Sequence, residues 1–231
     1  MMPDTSRRVL SAQTAPHQDL SRRVGRALQY PLRKPVAEHT RIAFEQADAW
    51  RCRHLESPLI IDAGCGVGLS TRHLARRFPD NIVIGIDRSA DRLSRDHGEL
   101  PANALLVRAD LIDFWRLALA GGWQPQRHYL LYPNPYPKPG HFKMRWPGHP
   151  VFPAIAALGG QLELRSNWKI YVQEFALALY QVAGIEVDVE EYQPENDFLT
   201  PFEAKYHRSG QPLWRLVATL PYRPGLLPID R

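Results

Sequence analysis

The stretch that most limits what this chain can fold into is Leu59-Ile60-Ile61-Asp62-Ala63-Gly64-Cys65-Gly66-Val67-Gly68-Leu69-Ser70. An apolar run of strand type ends in an acid, passes through a glycine-rich turn, and opens into an amphipathic segment that reaches Phe78. Strand, glycine turn and helix in that order form a cradle for a nucleotide cofactor. The first glycine permits the tight turn, the second lets backbone approach a ligand, and the third lets helix pack on strand. Gly64, Gly66 and Gly68 are therefore candidate cofactor contacts. The pattern is GxGxG, and a tight structural turn alone also uses glycine.

Acids at the ends of later strands narrow the reading. Asn81–Asp87 is a second apolar strand ending in an acid, and Asp87 lies 23 residues past Gly64, near the roughly 20-residue offset of a ribose-binding acid. A carboxylate there accepts from both ribose hydroxyls; the same residue could simply cap the helix expected over Ala90–Gly98. A third strand, Ala104–Arg108, leads to Asp110. That acid either reaches an adenine amino group or caps the helix expected over Leu111–Ala120. Asp62, Asp87 and Asp110 thus each sit at a strand end, and open parallel sheets bind ligands beyond the carboxyl ends of their strands. The alternation of strand and helix predicts a doubly wound α/β fold with a mostly parallel sheet. Ile185–Tyr192 and Leu213–Leu220 are expected to close it as an antiparallel C-terminal hairpin, with Thr200–Gly210 folding over the cofactor mouth.

The fourth strand, Arg127–Tyr132, runs into Pro133-Asn134-Pro135-Tyr136-Pro137-Lys138-Pro139-Gly140-His141-Phe142-Lys143-Met144-Arg145. Prolines stiffen this backbone and fix where the Asn134 amide points. Asn134 offers one acceptor and two donor hydrogens, and Tyr136 a flat face for a base. Lys138, His141, Lys143 and Arg145 suit phosphates.

These residues carry a resemblance. The glycine cradle is similar to that of S-adenosylmethionine-dependent methyltransferases. Tyr132-Pro133-Asn134-Pro135-Tyr136-Pro137-Lys138 resembles the Phe-Pro-Asp-Pro-Trp-Pro-Lys motif of the tRNA (guanine-N7)-methyltransferase (TrmB) family. Gly159–Trp168 resembles that family's strand followed by Thr-Asp-Trp, and Thr200-Pro201-Phe202-Glu203 its Thr-Lys-Phe-Glu. The similarity runs from about Ile60 to Leu216; the first fifty residues match poorly. The resemblance implies a Rossmann-like methyltransferase sheet with S-adenosylmethionine held at Asp62, Asp87 and Asp110. It implies Asn134 as the active-site residue beside that cofactor. It implies substrate contacts at Lys138, Asn167, Thr200, Pro201, Phe202 and Glu203. The family has Asp at the positions of Asn134 and Asn167, and Lys at that of Pro201, so the departures fall on the substrate side. The Asn-Pro-x-Tyr-like order is also similar to that of methyltransferases acting on exocyclic amines, where an amide oxygen accepts from the target amino group.

Composition sets the remaining bounds. Residues 1–35 hold Arg7-Arg8, Arg22-Arg23, Arg26 and Arg33-Lys34 with no apolar periodicity, which predicts a basic, flexible arm ahead of a methyltransferase domain over 36–231. A helix is expected over Val36–Trp50. The net charge of +5 favours an anionic partner. No apolar run approaches the roughly 18 to 20 residues that span a bilayer, and the N-terminus lacks the apolar core of a secretory signal. Two cysteines, Cys52 and Cys65, and no Cys/His cluster of zinc spacing fit a cytoplasmic protein without a metal. The expectation is a monomeric or homodimeric enzyme that methylates a tRNA base nitrogen, first guanine N7. The alternatives are an N-methyltransferase for an exocyclic amine or small-molecule nitrogen, and an RNA-binding paralogue with weakened turnover.

Overall fold

A computed structural model describes residues 6–30, 32–195 and 197–226. The helices are α1 (Leu20–Gln29), α2 (Glu38–Cys52), α3 (Leu69–Arg77), α4 (Ala90–Leu93), α5 (Leu111–Ala120), α6 (Phe152–Ala157), α7 (Lys169–Ala183) and α8 (Pro201–Arg208). The strands are β1 (Leu59–Ala63), β2 (Ile82–Asp87), β3 (Ala104–Arg108), β4 (Arg127–Leu131), β5 (Gly160–Ser166), β6 (Glu190–Tyr192) and β7 (Leu213–Leu220). They form one sheet in the order β3-β2-β1-β4-β5-β7-β6. β1 to β5 pair in parallel, whereas β7 runs antiparallel to both β5 and β6. The expected doubly wound sheet with an antiparallel C-terminal hairpin is the sheet observed.

Because both faces of the parallel strands are covered, β1 and β2 are buried at every position. Side chains alternate between two layers. Ile61, Ile84, Leu130 and Leu164 join the larger core beneath α2, α5, α6 and α7. Ile60, Val83, Tyr129 and Leu131 face the other way, against Leu74 and Ala75 of α3. Strand order reverses direction between β1 and β4, so the crevice that a doubly wound sheet opens at its switch point lies beyond their carboxyl ends.

Three expectations change. The arm is not free along its described length: α1 buries Leu20, Val24 and Ala27 at helical spacing, and Gln181 Nε2 donates to Ser21 O at 2.8 Å. Met1–Thr5 of the arm lie outside the described residues. The helix expected over Ala90–Gly98 stops at Leu93, because it buries no residue and so gains no packing. The strand expected over Ile185–Tyr192 pairs only at Glu190–Tyr192. Within the expected hairpin, β7 lies beside β5 and β6 at the edge.

Candidate active site

At the switch point lies a cavity of about 880 Å³, within the range that takes a cofactor or drug-sized ligand. One end is the glycine turn. Gly64, Gly66 and Gly68 have φ of 82°, 61° and 76°, values that L side chains rarely adopt. Nothing lies within 4 Å of where a Cβ on Gly66 would stand, so the turn leaves open space above its backbone. Gly64 and Gly66 line the cavity. Gly68 does not: it starts α3, and its missing Cβ makes room for Leu106 and Arg72.

Asp87, the last residue of β2, lines the same end. Its Oδ2 accepts from Gly66 N at 3.0 Å and its Oδ1 from Ser89 N at 2.8 Å. Arg92 Nη2 approaches Oδ1 at 3.0 Å from a partly exposed side chain, so it is the partner that a ligand could displace. Asp110 also borders the cavity, while its Oδ1 caps α5 through Ile112 N at 2.8 Å. Both sequence readings of Asp110 are compatible with one position.

Asp62 is a correction. It sits one residue before the end of β1 and shares its face with Ile60, towards α3, so it stays off the cavity wall. Its Oδ2 accepts from Ser70 Oγ at 2.6 Å and Thr71 Oγ1 at 2.7 Å, tying strand to helix beneath the turn. Burial pushes its pKa up to about 6, against the pull of those two hydroxyls, with the nearby Asp87 charge adding to the rise. The folded state therefore holds this proton more tightly than the unfolded chain. This contribution is present at low pH and is lost as pH rises from about 4 to 6, a change of roughly 3 kcal/mol. Urea unfolding of wild type and Asp62→Asn across that window should give different pH slopes, with the variant lacking this loss. Parallel curves would contradict it.

A second stretch of the cavity wall is built from the proline-rich segment after β4. Tyr132 and Tyr136 flank Asn134 at φ of 52° and 43°, uncommon for bulky residues and so held by their surroundings. Tyr132 N donates to Arg165 O at 2.8 Å, and its hydroxyl donates to Glu203 Oε1 at 3.2 Å. Tyr136 O accepts from Arg145 Nε at 3.0 Å. Tyr132, Asn134, Tyr136 and Lys143 line the cavity, and Thr200, Pro201 and Phe202 close its rim.

Three expected substrate contacts stand elsewhere. Lys138 is exposed and off the cavity, and its carbonyl serves the backbone turn through His141 N at 2.9 Å. Asn167 donates to Gln211 Oε1 at 2.9 Å, also off the cavity. Glu203 is wholly buried: it accepts from Arg165 Nη1 and Leu199 N, both at 2.7 Å, and so anchors the start of α8 rather than facing a ligand.

Arg145, expected among phosphate contacts, is likewise buried. Its guanidinium pairs with Glu174 of α7 at 2.6 Å, and Gln13 and the backbone of His17 complete the cluster. Sequence reasoning missed this hub, and no local pattern marks it, since its members come from three distant segments. It also missed His149 on the cavity wall. His149 Nδ1 accepts from Val151 N at 3.1 Å, and burial lowers its pKa to about 4, so the ring is neutral with its proton on Nε2.

The chain is similar to known proteins. A family model described as "Putative methyltransferase" matches residues 56–216. The tRNA (guanine-N(7)-)-methyltransferase of Neisseria gonorrhoeae is 26% identical over 172 residues, which cover 69% of this chain and 71% of that one. The protein of the same name from Chromobacterium violaceum is 28% identical over 171 residues, covering 70% and 75%. Among solved structures, an antibiotic-related methyltransferase superposes with a TM-score of 0.57 at 18% identity, over 75% of this chain and 94% of that one. The 16S rRNA methyltransferase KamB gives 0.55 at 17%, over 75% and 93%. At such identities the two structures speak for the fold alone.

Proposed function

The chain belongs to that methyltransferase family, and on this premise we propose that it transfers the methyl group of S-adenosylmethionine to N7 of a guanine in tRNA. The observation that carries the proposal is that one cavity is lined by two segments of different chemistry: glycine backbone with Asp87, and Tyr136 with Asn134.

The cofactor end fits a nucleoside with an attached amino-acid chain. The open space above Gly66 supports close approach of a ligand to the backbone. Asp87 would take the ribose hydroxyls, with Arg92 giving up its place on the carboxylate. Asp110 and the fixed imidazole of His149 would border the adenine. When bound, the cofactor supplies an electrophilic methyl on a sulfonium.

The protein's residues then have a positioning task. Guanine N7 already carries an available lone pair, so the reaction needs no general base. Tyr136 would hold the base by its face, and Asn134 by its edge, so that the nitrogen points along the line of displacement. Exclusion of water falls to the rim at Thr200-Pro201-Phe202. The curated relatives are tRNA enzymes by name, and the net charge of +5 supports a polyanionic substrate. Among the described residues no helix is long and apolar enough to cross a membrane, and both cysteines are free thiols. These features support the expected cytoplasmic setting.

The test is incubation of unmodified tRNA with methyl-labelled cofactor, followed by nucleoside analysis. Label is expected in 7-methylguanosine; label in no nucleoside overturns the tRNA reading. Titration of the cofactor by calorimetry should show Asp87→Ala binding weaker by about 1.5 to 3 kcal/mol, the scale of a hydrogen bond to a charged group. Unchanged affinity would remove Asp87 from the ribose.

A further inference from the structure

Asn134 carries an unexpected constraint. Its Oδ1 accepts the backbone N–H of Tyr136 at 3.3 Å, closing a turn over Pro135. Only an oxygen can face that donor, so the hydrogen bond fixes which way the amide is turned. The Nδ2 group, with its two hydrogens, makes no hydrogen bond among the described residues. One of the two lone pairs of the oxygen that would accept from an exocyclic amine is therefore already taken by the backbone, whereas both Nδ2 hydrogens are free to donate.

The rest of this wall has the same polarity. Lys143 lines the cavity with no ion-pair partner among the described residues. The Tyr171 hydroxyl, also on the wall, already accepts from Trp146 N at 3.2 Å and keeps its own hydrogen to give. The side-chain carboxylates of the cavity, Asp87 and Asp110, stand at the cofactor end and are engaged with backbone N–H groups.

We infer that Asn134 is a specificity-determining residue that reads the target base through donated hydrogen bonds, so that the enzyme selects guanine by O6 beside N7 and not by the 2-amino group. This rests on the assignment of guanine N7 as the methyl acceptor. On the N7 side of a purine, guanine presents two acceptors, N7 and O6, whereas adenine presents N7 beside an amino donor. A donor at Nδ2 aimed at O6 leaves the N7 lone pair free for the methyl. Facing adenine, the same donor would meet another donor. The chain thus uses an amide where a carboxylate, which has no hydrogen to give, could not make this contact.

The experiment compares tRNA transcripts that carry guanosine, inosine or 2-aminopurine riboside at the methylated position. Inosine keeps O6 and N7 and lacks the 2-amino group; 2-aminopurine keeps N7 and the amino group and lacks O6. Inosine is expected to react within about threefold of guanosine, and 2-aminopurine about ten- to a hundredfold more slowly, the scale of one base-edge contact. Asn134→Asp is expected to slow guanosine methylation by a similar factor at saturating cofactor. Rejection of inosine, or equal use of 2-aminopurine, would overturn the inference while leaving guanine methylation standing. Absence of transfer to the guanosine transcript would remove the functional reading and the inference together.

Discussion

Glu174→Ala is expected to lower the free energy of unfolding by about 3–5 kcal/mol, the cost of removing one member of a buried ion pair. Both side chains of the Arg145–Glu174 pair are inaccessible to solvent, and Arg145 Nη1 reaches the two carboxylate oxygens at 2.6 and 2.8 Å. Gln13 Nε2 and His17 N add donations to Oε1 at 2.6 and 3.1 Å. Without the carboxylate, a guanidinium stacked 4.6 Å from the Trp168 ring keeps its charge and loses its counter-ion. Urea unfolding followed by tryptophan fluorescence measures the loss; a change below about 1 kcal/mol would mean that water or another acid compensates. The double replacement Arg145→Met with Glu174→Leu separates stability from positioning. Replacing a buried pair by packed apolar groups is often neutral, so stability should largely return. The Tyr136 carbonyl would still lack its donor, so one of the contacts that hold that residue at positive φ would be lost. The double variant should therefore be stable, bind cofactor normally and show a raised KM for tRNA.

The parts of this molecule that are legible in the sequence are those whose cause is local. β1 and β2 announce themselves as short apolar runs because both their faces are covered. Asp87 and Asp110 are legible as cavity residues because each stands at or beyond the last residue of its strand. Asp62 stands one position earlier, and in a strand one position decides the face. Helix α1 escapes notice because Arg22, Arg23 and Arg26 interrupt Leu20, Val24 and Ala27, although those three still recur at i, i+4 and i+7. A motif gives spacing along the chain and not the direction of a side chain. Glu203 belongs to the resembling Thr-Pro-Phe-Glu run, yet Arg165 and Leu199 claim its carboxylate from positions no local pattern connects to it. The insertion of β7 between β5 and β6, and the meeting of Gln13, Arg145 and Glu174, arise only from the closed three-dimensional packing.

A single methyl group at Gly85 should disturb the cofactor end about as severely. Gly85 lies in the middle of β2, paired with Asp62 across the β1–β2 ladder. A Cβ there would stand 2.1 Å from Thr71 Oγ1 and 3.0 Å from Leu106 Cδ2, so α3 sits on β2 only because that position has no side chain. Thr71 Oγ1 is also one of the two hydroxyls that hold the buried Asp62 carboxylate. In Gly85→Ala the hydroxyl must swing away or the helix must lift. Overpacking contributes roughly 1–3 kcal/mol, and a carboxylate short of a donor a similar amount, so the variant should lose about 2–6 kcal/mol in total. The displacement would reach the ligand side, since Leu69 and Ser70 at the start of α3 line the cavity beside the glycine turn. Cofactor affinity, read by calorimetry, should fall about tenfold or more. A double-mutant cycle with Thr71→Ala isolates the cause. Thr71→Ala removes the closest atom in advance and leaves contacts of 3.0 Å to Leu106 Cδ2 and to the Cβ of residue 71, so adding Gly85→Ala to that background should cost less, about 1–2 kcal/mol. Strict additivity of the two substitutions would show that the contact between α3 and β2 is not what constrains this position.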